Sequence, residues 1–247
     1  MAALREGPFD EVLVERIELR GANGDPVPAI HARPEGLPRR GLVLHPDIGG
    51  LRPLFDDLSR RLATHGIAVC TVEPFARVLA AGADLGDIDA RMAQVAHLDD
   101  EQQLGDLESA ANYLIVNDDV TEVAVLGFCM GGMYALKAAA DDRFDRAVAF
   151  YGMIRVPPHW QHPELVDPLA TAAQVCPTLA IFGDEDPFTP AADIAALREA
   201  WADRTDCEVV VYAGAEHGFV HDADRPSHRA EDAADAWSRV LTFLGVN

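Results

Sequence analysis

The sequence predicts an α/β fold built on a mostly parallel sheet with helices on both faces. Three observations carry this. Short apolar runs alternate with amphipathic stretches of helical period, which is the pattern of successive βαβ units. Two leading extended segments joined by the turn-rich Gly21-Ala-Asn-Gly-Asp25 suggest an antiparallel edge. A length of 247 residues, 49% of them hydrophobic, suits one large domain over residues 1–247 with a full core.

The elements follow in order. The first two strands are expected at Glu11–Leu19 and Pro26–Ala32. A buried strand, Gly41–His45, ends at Pro46-Asp47-Ile48-Gly49-Gly50, and a helix follows over Pro53–His65 with Leu54, Leu58 and Leu62 in register. Gly66–Val72 reads as a strand, Asp100–Val116 as a helix, Val120–Leu126 as a strand and Gly131–Ala140 as a helix. Strands are expected at Arg146–Tyr151, Thr178–Phe182 and Cys207–Tyr212, with helices at Ala191–Ala202 and Arg229–Leu244. The irregular stretches Phe75–His97 and Gly152–Gln174 keep apolar residues throughout. They read as excursions over the carboxyl edge of the sheet, where ligands bind in this class. No internal repeat interrupts the pattern.

Composition narrows the function. The net charge is −21, from 41 acidic residues against 20 Lys and Arg, and Lys137 is the only lysine. Nucleic-acid binding needs a basic footprint, and no cluster supplies one. The N-terminal Met1-Ala-Ala-Leu-Arg-Glu-Gly-Pro8 has no apolar h-region, so no signal peptide is expected. No apolar run approaches a membrane-spanning length. Cys70, Cys129, Cys176 and Cys207 are widely scattered, unlike a disulfide framework or a CxxC zinc site. Three of them lie in apolar, strand-like runs and read as buried free thiols. The expectation is a cytoplasmic protein, a monomer or small homo-oligomer, with a small-molecule substrate and neither nucleic acid nor membrane as partner.

The sharpest local signal is Val123-Ala-Val-Leu-Gly-Phe-Cys129-Met-Gly-Gly132, which sets Gly-x-Cys-x-Gly between a strand and a helix. A nucleophile on so tight a turn is strained, and its neighbours two residues away must be small. The turn also places the thiol near a helix N-terminus, which favours the thiolate. The Met130 N–H becomes a natural oxyanion-hole donor. The bland alternative is a structural cysteine beside glycines needed for helix–strand packing.

A nucleophile of this type needs a base and an orienting acid, in the chain order nucleophile, acid, His. Asp186, in Gly183-Asp-Glu-Asp-Pro-Phe188, follows one apolar strand, and His217, in Ala215-Glu-His-Gly-Phe219, follows the next. Both fall on the sheet edge that carries Cys129. Alone, each reads as a turn residue or a solvated loop side chain. Asp184 competes for the acid role, and His221 and His228 for the base.

With these segments in place, the chain resembles the dienelactone hydrolase family of the α/β-hydrolase superfamily. Gly127-Phe-Cys-Met-Gly-Gly132, Gly183–Phe188 and Ala215–Phe219 carry the resemblance, joined by Gly105-Asp-Leu-Glu-Ser-Ala110 and Glu73-Pro-Phe-Ala-Arg77. It implies an α/β-hydrolase fold without a large lid domain. It also implies a triad in which Cys129 attacks an ester carbonyl, His217 moves protons and Asp186 orients His217. Ile48 matches the second oxyanion-hole N–H. Asp47 matches the family's acidic residue that helps activate the cysteine, where Glu is usual.

Two positions depart from the family pattern. Asp47 is shorter than Glu by one C–C bond, about 1.5 Å. The family binds a substrate carboxylate with two arginines; the matching positions here are His221 and, by a loose alignment, Arg91. A neutral imidazole does not reproduce a bidentate arginine clamp, so Arg77, Arg225 and Arg229 are candidates to compensate. The reading is hydrolysis of a small ester or lactone. The alternatives are a related hydrolase or thiol acyltransferase with another small substrate, and a non-catalytic ligand-binding protein. No cofactor is expected, because Gly49-Gly50 lacks the Lys-Ser/Thr of a phosphate loop, and no metal, because the histidines show no ligand spacing.

Overall fold

The computed structural model describes residues 4–6 and 11–246, so the expectation of a missing signal peptide rests partly outside the described residues. Strands β1 (Val12–Arg20) and β2 (Pro26–Pro34) form an antiparallel hairpin across Gly21–Asp25. The remaining strands are β3 (Arg40–His45), β4 (Ile67–Val72), β5 (Val123–Phe128), β6 (Arg146–Phe150), β7 (Thr178–Gly183) and β8 (Cys207–Tyr212). They lie in one eight-stranded sheet in the order β1-β2-β4-β3-β5-β6-β7-β8. From β4 to β8 every pairing is parallel, and β2 alone runs against the rest, because β1, antiparallel to β2, points the same way as β4. This is the α/β-hydrolase arrangement, with the apolar central strands buried on both faces.

The pleat divides the core in two. Along β3, Leu42 and Leu44 face one core, while Val43 faces the other. The Leu42 side is covered by α1 (Pro53–Ala63), through Phe55, Leu58 and Leu62, and by α7 (Ala230–Leu244), through Trp237, Val240 and Leu241. The opposite face is covered by α4 (Asp100–Asp118), α5 (Met130–Ala138) and α6 (Ala191–Ala200). Local chemistry sets the helix ends. Pro53 opens α1 at a position where no N–H is needed. The Asp99 side chain caps α4 by accepting from the Gln102 N–H, and Gly245 ends α7 in the left-handed conformation.

Three expectations change. β5 begins at Val123, because Asp119 takes a left-handed conformation at the end of α4 and the chain turns before entering the sheet. The Phe75–His97 excursion contains two helices, α2 (Ala76–Ala80) and α3 (Ile88–Val95), too short to display a period. All four cysteines are free thiols, but only Cys70 is buried; Cys176 and Cys207 are half-buried, since both lie near the outer strand β8. Among the described residues, no helix is long and apolar enough to cross a membrane.

Away from the carboxyl edge, buried His31 of β2 joins β1 to the end of α4. Its Nε2 lies 2.8 Å from Asp118 Oδ2 and its Nδ1 3.1 Å from Glu15 Oε1. Burial opposes protonation, but the bonds to Asp118 and Glu15 outweigh it and raise the imidazole above its ordinary value. A raised folded-state value means that the stabilisation is fully present below the unfolded value of about 6.5 and is lost as pH rises through the folded one. His31→Asn is therefore expected to lower stability by about 3 kcal/mol at mildly acidic pH. The loss should shrink in alkaline solution, as read from urea unfolding of both proteins across the pH range.

Candidate active site

β5 runs directly into the turn that carries Cys129. The residue has φ +58° and ψ −119°, a strained conformation for a side-chain-bearing residue, and its N–H donates to the Phe150 carbonyl at 3.0 Å. The flanking glycines allow this. A Cβ on Gly127 would collide with the Gly131 carbonyl, and one on Gly131 would collide with the His45 and Pro46 carbonyls. A Cβ on Gly132 would come within 2.6 Å of the Phe150 oxygen. Small residues are thus required before the cysteine by the turn's own backbone and after it by contact with the chain at the ends of β3 and β6.

Met130 opens α5, so its N–H has no intrahelical acceptor. Ile48 follows β3 on the neighbouring loop. Among the described residues, neither N–H has a backbone acceptor. Two free donors therefore flank the turn, Met130 next to the sulfur in sequence and Ile48 on the loop that Gly131 packs against.

Asp186, after β7, and His217, after β8, meet directly: His217 Nδ1 lies 2.7 Å from Asp186 Oδ2. The other Asp186 oxygen accepts the Phe188 N–H at 2.8 Å, which fixes the carboxylate. An ionised carboxylate only accepts, so Nδ1 carries the proton and Nε2 is left for another partner. Nε2 is buried with no hydrogen-bond partner. Burial works against a charged imidazole here, but the Cys129 sulfur and Asp186 outweigh it and push His217 up to about 10. Cys129, His217 and Asp186 thus come together. Asp184 is exposed and accepts the Gly214 N–H at 2.6 Å, bracing the loop beside the pair.

Asp47 and His221 take places other than those the resemblance implied. Asp47 is buried, and both its oxygens are engaged: by the Gly49 N–H at 2.8 Å, by Arg52 at 2.5 and 2.8 Å, by His221 Nε2 at 2.8 Å and by Arg225 at 3.3 Å. Burial alone would push this carboxyl up, but His221 and Arg52 hold it well below the usual carboxylate range. No hydrogen bond joins it to Cys129 among the described residues. His221 is a core residue rather than part of a cleft wall. It stacks on Phe128 at 4.6 Å, with Nδ1 bonded to the Tyr151 hydroxyl and Nε2 to Asp47. Burial pushes this imidazole down, so it is neutral. Its Nε2–H donates to Asp47 and its Nδ1 accepts from Tyr151.

Arg91, on α3, packs over Phe75 near Gly50. Its Nη1 is buried without a hydrogen bond, 4.0 Å from Glu73. Of the three possible compensating arginines, Arg77 is bound by Asp106 and Asp25, and Arg229 by Asp232 and the Gly214 carbonyl. Only Arg225 reaches the Asp47 cluster. Sequence reasoning missed Arg52 and Tyr151. Tyr151 immediately follows β6, at the same kind of strand end as Cys129 and His217, and that position was its available signal. Arg52 had none, since its role depends on how the loop folds back.

The comparisons agree with this fold. A model of the Dienelactone hydrolase family matches residues 27–246. A protein of Escherichia coli K12 named "Putative carboxymethylenebutenolidase" is 32% identical over 241 residues, covering 95% of this chain and 88% of that one. A carboxymethylenebutenolidase of Rhodococcus opacus is also 32% identical, over 89% of this chain and 86% of its own. The crystal structure of a "Putative Dienelactone Hydrolase" from Klebsiella pneumoniae superposes with a TM-score of 0.85 at 28% identity, covering 96% and 99% of the two chains.

Two outcomes are expected. NMR titration should find the His217 imidazole protonated up to a value near 10, and both Cys129→Ala and Asp186→Asn should lower that value. Gly127→Ala should cost at least about 4 kcal/mol in thermal or urea unfolding, or prevent folding, because backbone rather than a movable side chain occupies the space.

Proposed function

The chain belongs to the dienelactone hydrolase family and is a hydrolase of that type, and from this premise we propose that it cleaves a small ester or lactone through Cys129, His217 and Asp186. One observation carries the reading: His217 is held at Nδ1 by Asp186 and keeps a buried, unpartnered Nε2 in the electrostatic reach of the Cys129 sulfur. That is the arrangement a thiol nucleophile and its proton carrier need.

In the proposed sequence the Cys129 thiol gives its proton to His217 Nε2 as the sulfur attacks the carbonyl carbon, and the carbonyl oxygen becomes an oxyanion. The N–H groups of Met130 and Ile48 donate to it. The C–O bond to the leaving group breaks as His217 Nε2–H protonates the departing oxygen, which leaves an acyl-cysteine. Water then attacks the thioester carbonyl and gives its proton to His217. Collapse of the second tetrahedral intermediate releases the carboxylic acid and the thiol. Asp186 holds His217 in the required tautomer throughout.

Asp47 is assigned a positioning role rather than contact with the resting sulfur, because its oxygens are committed to Arg52, His221 and Arg225. Arg91, with its unpaired Nη1, is the candidate to meet a polar group of the substrate. The family model spans nearly the whole chain, which supports a single catalytic domain.

The test is hydrolysis of p-nitrophenyl acetate and of a dienelactone by the wild type and by Cys129→Ala. The variant should lose at least about a thousandfold in kcat/KM, and mass spectrometry of the wild type should trap an acetyl group on Cys129. A Cys129→Ala protein as active as the wild type would overturn the assignment.

A further inference from the structure

Beside the triad lies a cleft that the proposed chemistry does not use. It opens between the loop after β6, with Val156, Pro157 and Pro158, and the loop after β7, with Pro187, Phe188 and Pro190. Its volume of about 550 Å³ falls in the range of small-molecule sites. One wall residue, Phe188, packs against His217. The Phe188 ring stands edge-on to the His217 ring at 4.9 Å, and its backbone N–H donates to the carboxylate that orients His217. Phe188 nevertheless leaves 39% of its surface open, a large apolar side chain uncovered beside the base. The four prolines hold fixed φ values, so these walls are formed in advance and binding orders little backbone.

Charge narrows the occupant. The cation at the cleft, Arg155, faces two carboxylates, Asp193 at 3.1 Å and Asp167 at 3.8 Å. An anion entering the cleft would compete with both, and the remaining wall is largely apolar. Position fixes which part of the substrate enters. The Phe188 wall of the cleft packs against His217, the group that in the proposed mechanism protonates the departing oxygen, so the leaving-group side of the scissile bond is the side nearest the cleft.

We propose that this cleft binds an uncharged apolar group, alkyl or aryl, on the alcohol side of the ester or on the alkoxide-bearing carbon of a lactone. Phe188 and the proline walls determine specificity there. The proposal rests on Cys129 as the nucleophile, and its test separates the two.

The measurement is kcat/KM for phenyl, 4-ethylphenyl and 4-butylphenyl acetate, whose leaving groups differ little in basicity. The wild type should gain about tenfold from phenyl to butylphenyl, a fraction of what full burial of the added methylenes allows. His159→Glu places a carboxylate at the exposed rim of the cleft, away from the triad. It should abolish the gain while leaving phenyl acetate turnover unchanged. Equal rates across the series, with phenyl acetate still cleaved, would overturn the cleft assignment and leave the hydrolase reading intact. A second arm needs no turnover. Alkylation of Cys129 by N-hexyl iodoacetamide should outpace alkylation by iodoacetamide in the wild type, and the advantage should vanish in His159→Glu. If no acetate is cleaved but the alkylation advantage is present and lost as stated, the cleft stands and the hydrolase reading falls. Equal alkylation rates in the wild type would count against the cleft in either case.

Discussion

The close approach of three backbones around Cys129 is the constraint on which the rest of the site depends. Gly131 and Gly132 leave no room for side chains because the chain at the ends of β3 and β6 presses against the turn between β5 and α5, and Gly127 leaves none because the turn folds back on it at Gly131. That contact holds Cys129 at a positive φ and fixes the Ile48 loop relative to the start of α5. In the proposed mechanism the Met130 and Ile48 N–H groups, from these two elements, would serve the oxyanion without any side chain to orient them. Such donors would need no reorganisation during reaction, because the packing of the sheet holds them.

A second, electrostatic tie secures the side of the site away from α5. Buried Asp47 receives bonds from Arg52 on its own loop and from His221 and Arg225 on the loop that carries His217. His221 passes the connection on to Tyr151, itself at a positive φ of 39° and packed edge-on to His217 at 5.1 Å. One carboxylate therefore joins the loops after β3, β6 and β8. Breaking a buried pair of this kind by removing one partner leaves an uncompensated charge, which is why such clusters fix loop positions more than they add net stability. A neutral His221 suits the arrangement, since it can donate to Asp47 and accept from Tyr151 at once.

Much of this was legible from residue order, and the exceptions have physical causes. The strands fell nearly where apolar runs placed them; β8 has the expected bounds, Cys207–Tyr212. The elbow was readable because its geometry forces particular residue types into fixed spacing. Asp186 and His217 were readable because strand ends bring them to one edge. Arg52 was not, because a loop that folds back on itself has no period. His221 was misplaced because a family position says which residue stands there but not which way it turns. With imidazole in place of guanidinium, the side chain suits a buried stack against Phe128, and the charge it would have carried is supplied by Arg52 and Arg225.

That substitution also bears on how a protein of net charge −21 accommodates an ester at this edge. The arginines around the site already face carboxylates: Arg52 and Arg225 face Asp47 and Asp222, Arg155 faces Asp167 and Asp193, and Arg91 faces Glu73. A fully anionic ligand must therefore displace an existing pair and enter against the field of the whole chain. The loosest pairing is Arg91 with Glu73, at 4.0 Å, and burial pushes the Glu73 carboxyl up, toward its neutral form. A weakly polar ligand meets none of this resistance. It gains from the uncovered Phe188 ring and the proline walls, and it leaves the arginine clusters to hold the loops. The charge distribution, the rigid apolar cleft and the neutral His221 thus favour the same kind of ligand: a compact ester or lactone whose bulk is apolar and whose reactive carbonyl is its main polar feature.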